Sequence, residues 1–265
     1  MNSMKLLTPI SHLFKINDSI QSEIRENSDL LEARERTCDL TIDNTTHYHI
    51  DFDLNLGITE NQKQFLIDNV RDRLEITTLT FQAACDCEKV EINKGMYVPC
   101  SLPISLDQQI KNTLNSVRVI KDIVGSDRKI GIENNNYYPT GAYNVCTSLP
   151  YLLAVLQESN LELLFDIAHA KVTCYNNNIS FLEYSSGLLD LNMCNQVHVC
   201  QPLEVEHNGE TILRDIHELP TDDFTEMALS LMRKYSITYF TCEYYRDATI
   251  LCEYLKKVRN LFNDK

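Results

Sequence analysis

Two short apolar runs that each close on an acid constrain this chain most. Lys129-Ile130-Gly131-Ile132-Glu133 leads into Asn134-Asn135-Asn136-Tyr137, and Leu161 to Asp166 leads into Ile167-Ala168-His169-Ala170. Between them, Tyr143 to Ser159 carries Leu149, Leu152, Leu153, Val155 and Leu156 at helical spacing. The pattern reads as a strand, a crossover helix and a second, parallel strand. Such a βαβ unit places the polar tips of both strands at one carboxyl edge, where α/β proteins gather chemistry.

Similar runs recur. Leu6 to Ile10, Leu30 to Arg34, Tyr48 to Asp53, Thr77 to Ala84, Gln196 to Val199 and Ile237 to Glu243 read as further strands. Asp18 is a candidate N-cap for a helix ending near Glu26. Thr59 and Gln62 form a capping box ahead of Phe65, Leu66, Val70 and Leu74 on one helical face. Leu106 to Val124 keeps helical spacing, Ala248 to Phe262 closes the chain as a helix, and Cys85 to Pro103 is an irregular excursion or small hairpin over the strand ends. Strands alternating with helices, with no linker rich in Pro, Gly or Ser, predict one (β/α)8 TIM barrel using all 265 residues as a single domain. An open doubly wound sheet competes, but no Gly-rich phosphate loop accompanies it.

Composition narrows the function. A hydrophobic share of 43% suffices for a sizeable core, and no apolar run reaches bilayer length. The start, Met1 to Leu7, meets Pro9, Ser11 and His12 too soon for a signal peptide, so a cytoplasmic protein without membrane attachment is expected. With 24 basic and 38 acidic side chains the net charge is −14, which disfavours nucleic-acid backbones and suits solubility or a basic partner. The cysteines sit mostly in apolar segments (Cys146, Cys174, Cys194, Cys200, Cys242, Cys252), where a reduced thiol packs as a small hydrophobe. Cys85-Asp86-Cys87 has no second pair at zinc-ribbon spacing, so no structural zinc is expected there.

The barrel makes a sharper claim about ionisable residues. His49, Glu133, Asp166, His169, His198 and Glu243 fall at or just past predicted strand ends, and Asp215-Ile216-His217 lies in the loop after Gln196 to Val199. One rim would collect them all. A lone histidine at a strand end is ordinarily a hydrogen-bonded core residue; it is the recurrence that points to metal. Mixed imidazole and carboxylate donors suit iron, zinc or manganese better than magnesium or calcium. His12, His47 and His207 read as surface or loop residues, and Asn134 to Tyr137 either line the pocket or cap the next helix.

The runs Ile132-Glu133-Asn134, Leu164-Phe165-Asp166-Ile167-Ala168-His169-Ala170, Gln196-Val197-His198-Val199, Asp215-Ile216-His217 and Cys242-Glu243, in that order, resemble the signature of the multinuclear non-heme iron-dependent oxidative enzymes. This is the barrel family that includes the methanobactin-biosynthesis oxidase, and the resemblance runs from His49 towards the C-terminus. It implies a xylose-isomerase-like barrel, a di- or tri-iron centre, and dioxygen-dependent modification of a ribosomally synthesised precursor peptide at cysteine or a C-terminal residue. It also implies a small partner protein that presents the peptide, in keeping with a barrel that leaves little chain for a recognition domain. The ligand order is also similar to that of the apurinic endonucleases, which hold zinc. Carried over, Glu133 bridges two metals, Asp166, His198 and Glu243 complete one, and His169, Asp215 and His217 hold another. His49 takes the remaining position, and Glu133 and Asp215 are the expected catalytic carboxylates. Both families place a histidine at the fourth strand's end; here Gln82 is the nearest polar residue, so the metal beside His49 is expected to be weakly held. A zinc phosphodiesterase or a sugar isomerase on the same barrel is the alternative. The first would need a basic face, the second a lysine near the metals, for which Lys171 is the candidate.

Overall fold

Alternation of short buried strands with amphipathic helices resolves into a closed barrel. The computed structural model describes residues 3–263. In chain order the strands are β1 (Lys5–Pro9), β2 (Leu30–Arg34), β3 (Thr45–Asp53), β4 (Thr78–Gln82), β5 (Val90–Asn93), β6 (Met96–Pro99), β7 (Lys129–Glu133), β8 (Glu162–Asp166), β9 (Cys194–Val199), β10 (Gln201–His207), β11 (Glu210–Glu218) and β12 (Tyr239–Cys242). Eight of them pair in parallel in the order β1-β12-β9-β8-β7-β4-β3-β2, and β2 returns to β1 to close the ring. The four others form two antiparallel hairpins, β5–β6 and β10–β11. The helices are α1 (Asp18–Glu26), α2 (Glu60–Asn69), α3 (Leu106–Val124), α4 (Leu149–Ser159), α5 (Ile167–Asn176), α6 (Phe181–Leu189), α7 (Asp222–Tyr235) and α8 (Ala248–Asn263). This is the expected TIM barrel. Among the described residues no helix is long and apolar enough to cross a membrane.

Local chemistry explains where boundaries differ from the sequence reading. Asn17, not Asp18, caps α1, its side chain accepting from the Ile20 amide at 2.9 Å. The Thr59–Gln62 capping box forms, and Leu66 and Val70 are buried, but α2 stops at Asn69 and Leu74 is 83% exposed. α4 begins only at Leu149, because Ser148 caps it and Pro150, which lacks an amide donor, sits in the first turn. Residues 134–148 are therefore a loop over the strand ends, and Asn134 to Asn136 cap no helix. The pair α5–α6 between β8 and β9 is absent from the sequence reading; its buried faces pack on the core.

The hairpins shape the mouth. Each turns on two residues with positive φ, Lys94-Gly95 (49° and 77°) and Asn208-Gly209 (52° and 85°), the conformation of tight two-residue turns. Beside β8, Gly131 is needed for close approach, since a Cβ there would lie 3.0 Å from the Glu162 carbonyl oxygen and from Thr80 Cγ2. Buried Asp86 accepts from the Val145 and Cys146 amides, both at 2.8 Å, and ties the β5–β6 excursion to the loop before α4. The Cys85-Asp86-Cys87 run thus serves the loop architecture. All ten cysteines are free thiols.

Candidate metal centre

Strand ends deliver the donors. Glu133 closes β7, and Asp166 closes β8 while capping α5 through the His169 amide at 2.7 Å. Asn134 fixes that corner: its side chain donates to the Asp166 carbonyl and accepts from the Asp166 amide, each at 2.9 Å. The His169 Nδ1–H donates to the Asn134 carbonyl at 2.9 Å, so Nε2 is left facing Asp215 Oδ2 at 3.2 Å. A hydrogen bond on the far nitrogen is how metal-binding imidazoles are oriented.

His198, on β9, is held the same way. Its Nε2 lies 3.1 Å from Glu32 Oε2, while Nδ1 faces Glu133 Oε1 at 3.0 Å and Glu243 Oε1 at 3.3 Å. His49 Nε2 lies 3.5 Å from Glu133 Oε2 and 3.2 Å from Gln82 Nε2, with Nδ1 2.9 Å from Thr80 Oγ1. His217, in the left-handed region with φ 51°, points Nε2 at Glu243 Oε2, 3.4 Å away, and at Asp215 Oδ2, 3.6 Å away. Asp215 Oδ1 accepts from the His217 amide at 3.0 Å and from the Cys200 thiol at 3.1 Å. All the sequence-predicted site residues therefore meet in one contiguous cluster. The donor atoms grouped within 4.8 Å are Glu133–Asp166–His169, Glu32–His198–Glu243 and Cys200–His217–Glu243.

Sequence reasoning missed several members. Glu32 and Arg34 face the cluster from β2, with Arg34 Nη2 2.9 Å from Glu32 Oε1 and also paired to Glu243. The signal was present, since residues two apart on a strand share a face, and in a barrel strand that face is the interior. Tyr245 donates to Glu243 at 3.0 Å. Cys200, read as a small hydrophobe, is buried but presents its thiol to Asp215. His47, read as a surface or loop residue, is only 3% exposed in β3, where its ring meets Tyr239 edge-on. Burial pushes the His47 imidazole down to about 4, so it stays neutral. Lys171 turns away from the cavity, with Nζ 4.4 Å from the centre of the Phe181 ring, and so is no catalytic lysine.

Without a metal, the carboxylates of the centre are balanced by Arg34 and by protons on the imidazoles. Burial alone would raise Glu32, Glu133 and Glu243, yet the imidazoles, joined by Arg34 at Glu32 and Glu243, hold them below the usual carboxylate range. Asp166 goes the other way: burial pushes it up to about 7 against the pull of His169. Burial opposes protonation of His169 and His198, but the surrounding carboxylates raise both well above an ordinary imidazole. His49 is lowered by burial despite Glu133. Asp166 Oδ2 is buried without any hydrogen bond, and His198 Nδ1, 3.0 Å from Glu133 Oε1, is not aligned for one. An unpartnered oxygen among carboxylates and imidazoles fits a bound cation with nitrogen and oxygen ligands, which would replace the protons on the imidazoles. A cavity of about 720 Å³ opens onto the cluster between the two hairpins.

The model of the RiPP precursor modification enzyme family MbnB/TglH/ChrH matches residues 53–241. The chain belongs to this family. Members of the MbnB/TglH/ChrH family are enzymes acting on precursor peptides that the ribosome makes. The matched span includes Glu133, Asp166, His169, His198, Asp215 and His217, while His49 and Glu243 flank it. Solved barrels agree with the fold. A xylose isomerase domain protein from Alicyclobacillus acidocaldarius is 15% identical over 98% of this chain and 100% of its own, with a TM-score of 0.57. A D-allulose 3-epimerase from Methylomonas sp. is 14% identical over 99% of each chain, with a TM-score of 0.60. Endonuclease IV from Thermus thermophilus is 10% identical over 98% of this chain and 99% of its own, with a TM-score of 0.59. These identities speak to architecture alone.

Proposed function

We propose that the chain oxidises a ribosomally synthesised peptide at an iron centre held by the rim residues, using dioxygen. The observation that carries this reading is the single cluster of imidazoles and carboxylates at the floor of the cavity, in a member of a peptide-modifying family. Glu133 would bridge, its two oxygens facing His198 and His49. Asp166, His169, Asp215, His198, His217 and Glu243 would supply the other positions. Bound iron would supply the one-electron chemistry that activates dioxygen and an open position for a substrate thiolate or carboxylate. The residues' own tasks are positional: the Asn134 carbonyl and the Glu32 carboxylate each hold the far nitrogen of one imidazole, which aims the other at the centre. A separate protein that presents the precursor peptide is part of this proposal. The test is anaerobic iron loading, metal analysis, and the mass shift of a co-expressed candidate precursor in air. No bound transition metal after loading would sink it.

Metal binding is expected to release protons. In the metal-free centre His169 and His198 are raised, so they hold protons at neutral pH, and a metal must displace them. Apparent affinity should therefore fall as pH falls, and calorimetric titration in buffers of different ionisation enthalpy should reveal more than one proton released. Buffer-independent heats would contradict this assignment.

Gln82 offers a second check. Its side-chain nitrogen already contacts His49 Nε2, so an imidazole there would face the same point. Gln82→His is expected to raise metal content by strengthening the position beside His49. Unchanged stoichiometry and affinity would mean that His49 holds no metal.

A further inference from the structure

Four Arg or Lys side chains line the cavity, and three are already committed. Lys15 pairs with Asp39 at 2.9 Å, Arg36 with Asp51 at 3.3 Å, and Arg34 with Glu32 and Glu243. Among the described residues Arg214 has no ion-pair partner, and its buried Nε makes no hydrogen bond. An arginine left this way keeps its planar fork available for a carboxylate.

Arg214 is also held in place. It sits on β11 immediately before Asp215, and the Asn176 side chain of α5 clamps the preceding residue, accepting from the Leu213 amide at 2.8 Å and donating to its carbonyl at 2.9 Å. Its guanidinium lies under the β5–β6 turn, where a Cβ on Gly95 would come within 2.6 Å of Nη2. That turn needs a residue tolerant of φ 77°, so Gly95 answers both the bend and the close approach. Beyond the turn, Tyr97 and Tyr143 stack with ring centres 6.0 Å apart and Tyr138 meets Tyr143 edge-on at 5.4 Å, giving the cavity an aromatic wall.

We propose that Arg214 is a substrate-binding residue that anchors a carboxylate of the peptide at the cavity wall, next to the metal centre. The inference rests on the peptide-modifying reading above. The carboxylate comes from either the peptide's C-terminus or an Asp or Glu side chain, both of which a guanidinium fork binds through paired N–H donors.

The test uses the full-length metal-free chain and three probes: N-acetyl-Gly-Gly-Cys as the free acid, the same peptide as its C-terminal amide, and N-acetyl-Glu-Gly-Cys amide. Calorimetry should show at least one carboxylate-bearing probe binding tenfold or more tighter than the uncharged amide. Whichever it is names the source. Arg214→Gln should erase the preference, and Arg214→Lys, which keeps the charge but not the fork, should retain part of it. Equal or undetectable binding of all probes to the wild type overturns the proposal, as does a preference that survives in Arg214→Gln. Should Arg214→Gln fail to fold, Arg214→Lys and the wild-type comparison still decide. Iron uptake, measured separately, tests the metal reading, so loss of one result does not imply loss of the other.

Discussion

Glu133→Gln is expected to empty most of the metal centre and abolish peptide modification while the barrel stays folded. The reason is the direction of its two oxygens, one 3.0 Å from His198 Nδ1 and the other 3.5 Å from His49 Nε2. An amide of the same shape removes a negative charge and turns an N–H₂ group towards one imidazole. Residues that merely support metal ligands cost about 10–100-fold in affinity or activity when removed. A shared donor should cost more than that at both positions it serves. His169→Ala, by comparison, should drain mainly the side where its Nε2 meets Asp215. Metal analysis after anaerobic loading, with circular dichroism as the folding control, measures both variants. Full metal and full modification in Glu133→Gln would make the cluster structural.

The rim is readable because several barrel strands are short apolar runs that end on a polar residue, and a barrel gathers those ends. Glu133 and Asp166 can be placed from that rule alone, and His198 lies one residue before the end of β9. Glu32 escapes it by lying two residues before the end of β2, and Arg34, although it ends that strand, is a cation and so is no candidate metal ligand. Leu31 and Ala33 bury on one side, Glu32 and Arg34 turn to the other. The β10–β11 hairpin is also missing from the sequence reading, although Asn208-Gly209 between alternating runs is a turn signal in its own right. Without that hairpin Arg214 has no place, and Asp215 and His217 fall in an unspecified loop. What no local pattern could give is pairing across the ring. Arg34 and Glu243 lie 209 residues apart in sequence, and only closure of β1 against β12 and β2 brings them together.

Arg34→Met should destabilise the metal-free chain by about 3–5 kcal/mol, the usual cost of stripping one partner from a buried ion pair. Arg34 contacts both Glu32 and Glu243, whose carboxyl groups are buried. Burial raises each of them and Arg34 offsets it, along with the imidazoles, so both stand below the ordinary value of 4.5. A carboxylate with a depressed folded pKa contributes stability above its unfolded pKa and loses it as pH falls through the folded one. The gap between wild type and variant is therefore expected to be widest at neutral pH and to narrow in acid. Methionine keeps much of the stem's volume, so the loss reports charge rather than a cavity. A bound cation would take over the guanidinium's task. Iron present at about 100 times its dissociation constant adds about 2.7 kcal/mol to any fold that binds it only when native. The variant, freed of a competing positive charge, should gain more from iron than the wild type does. Thermal melts with and without iron, across pH, measure the effect. Equal melting temperatures for the two metal-free chains would show that Arg34 does not counterbalance the acids of the centre.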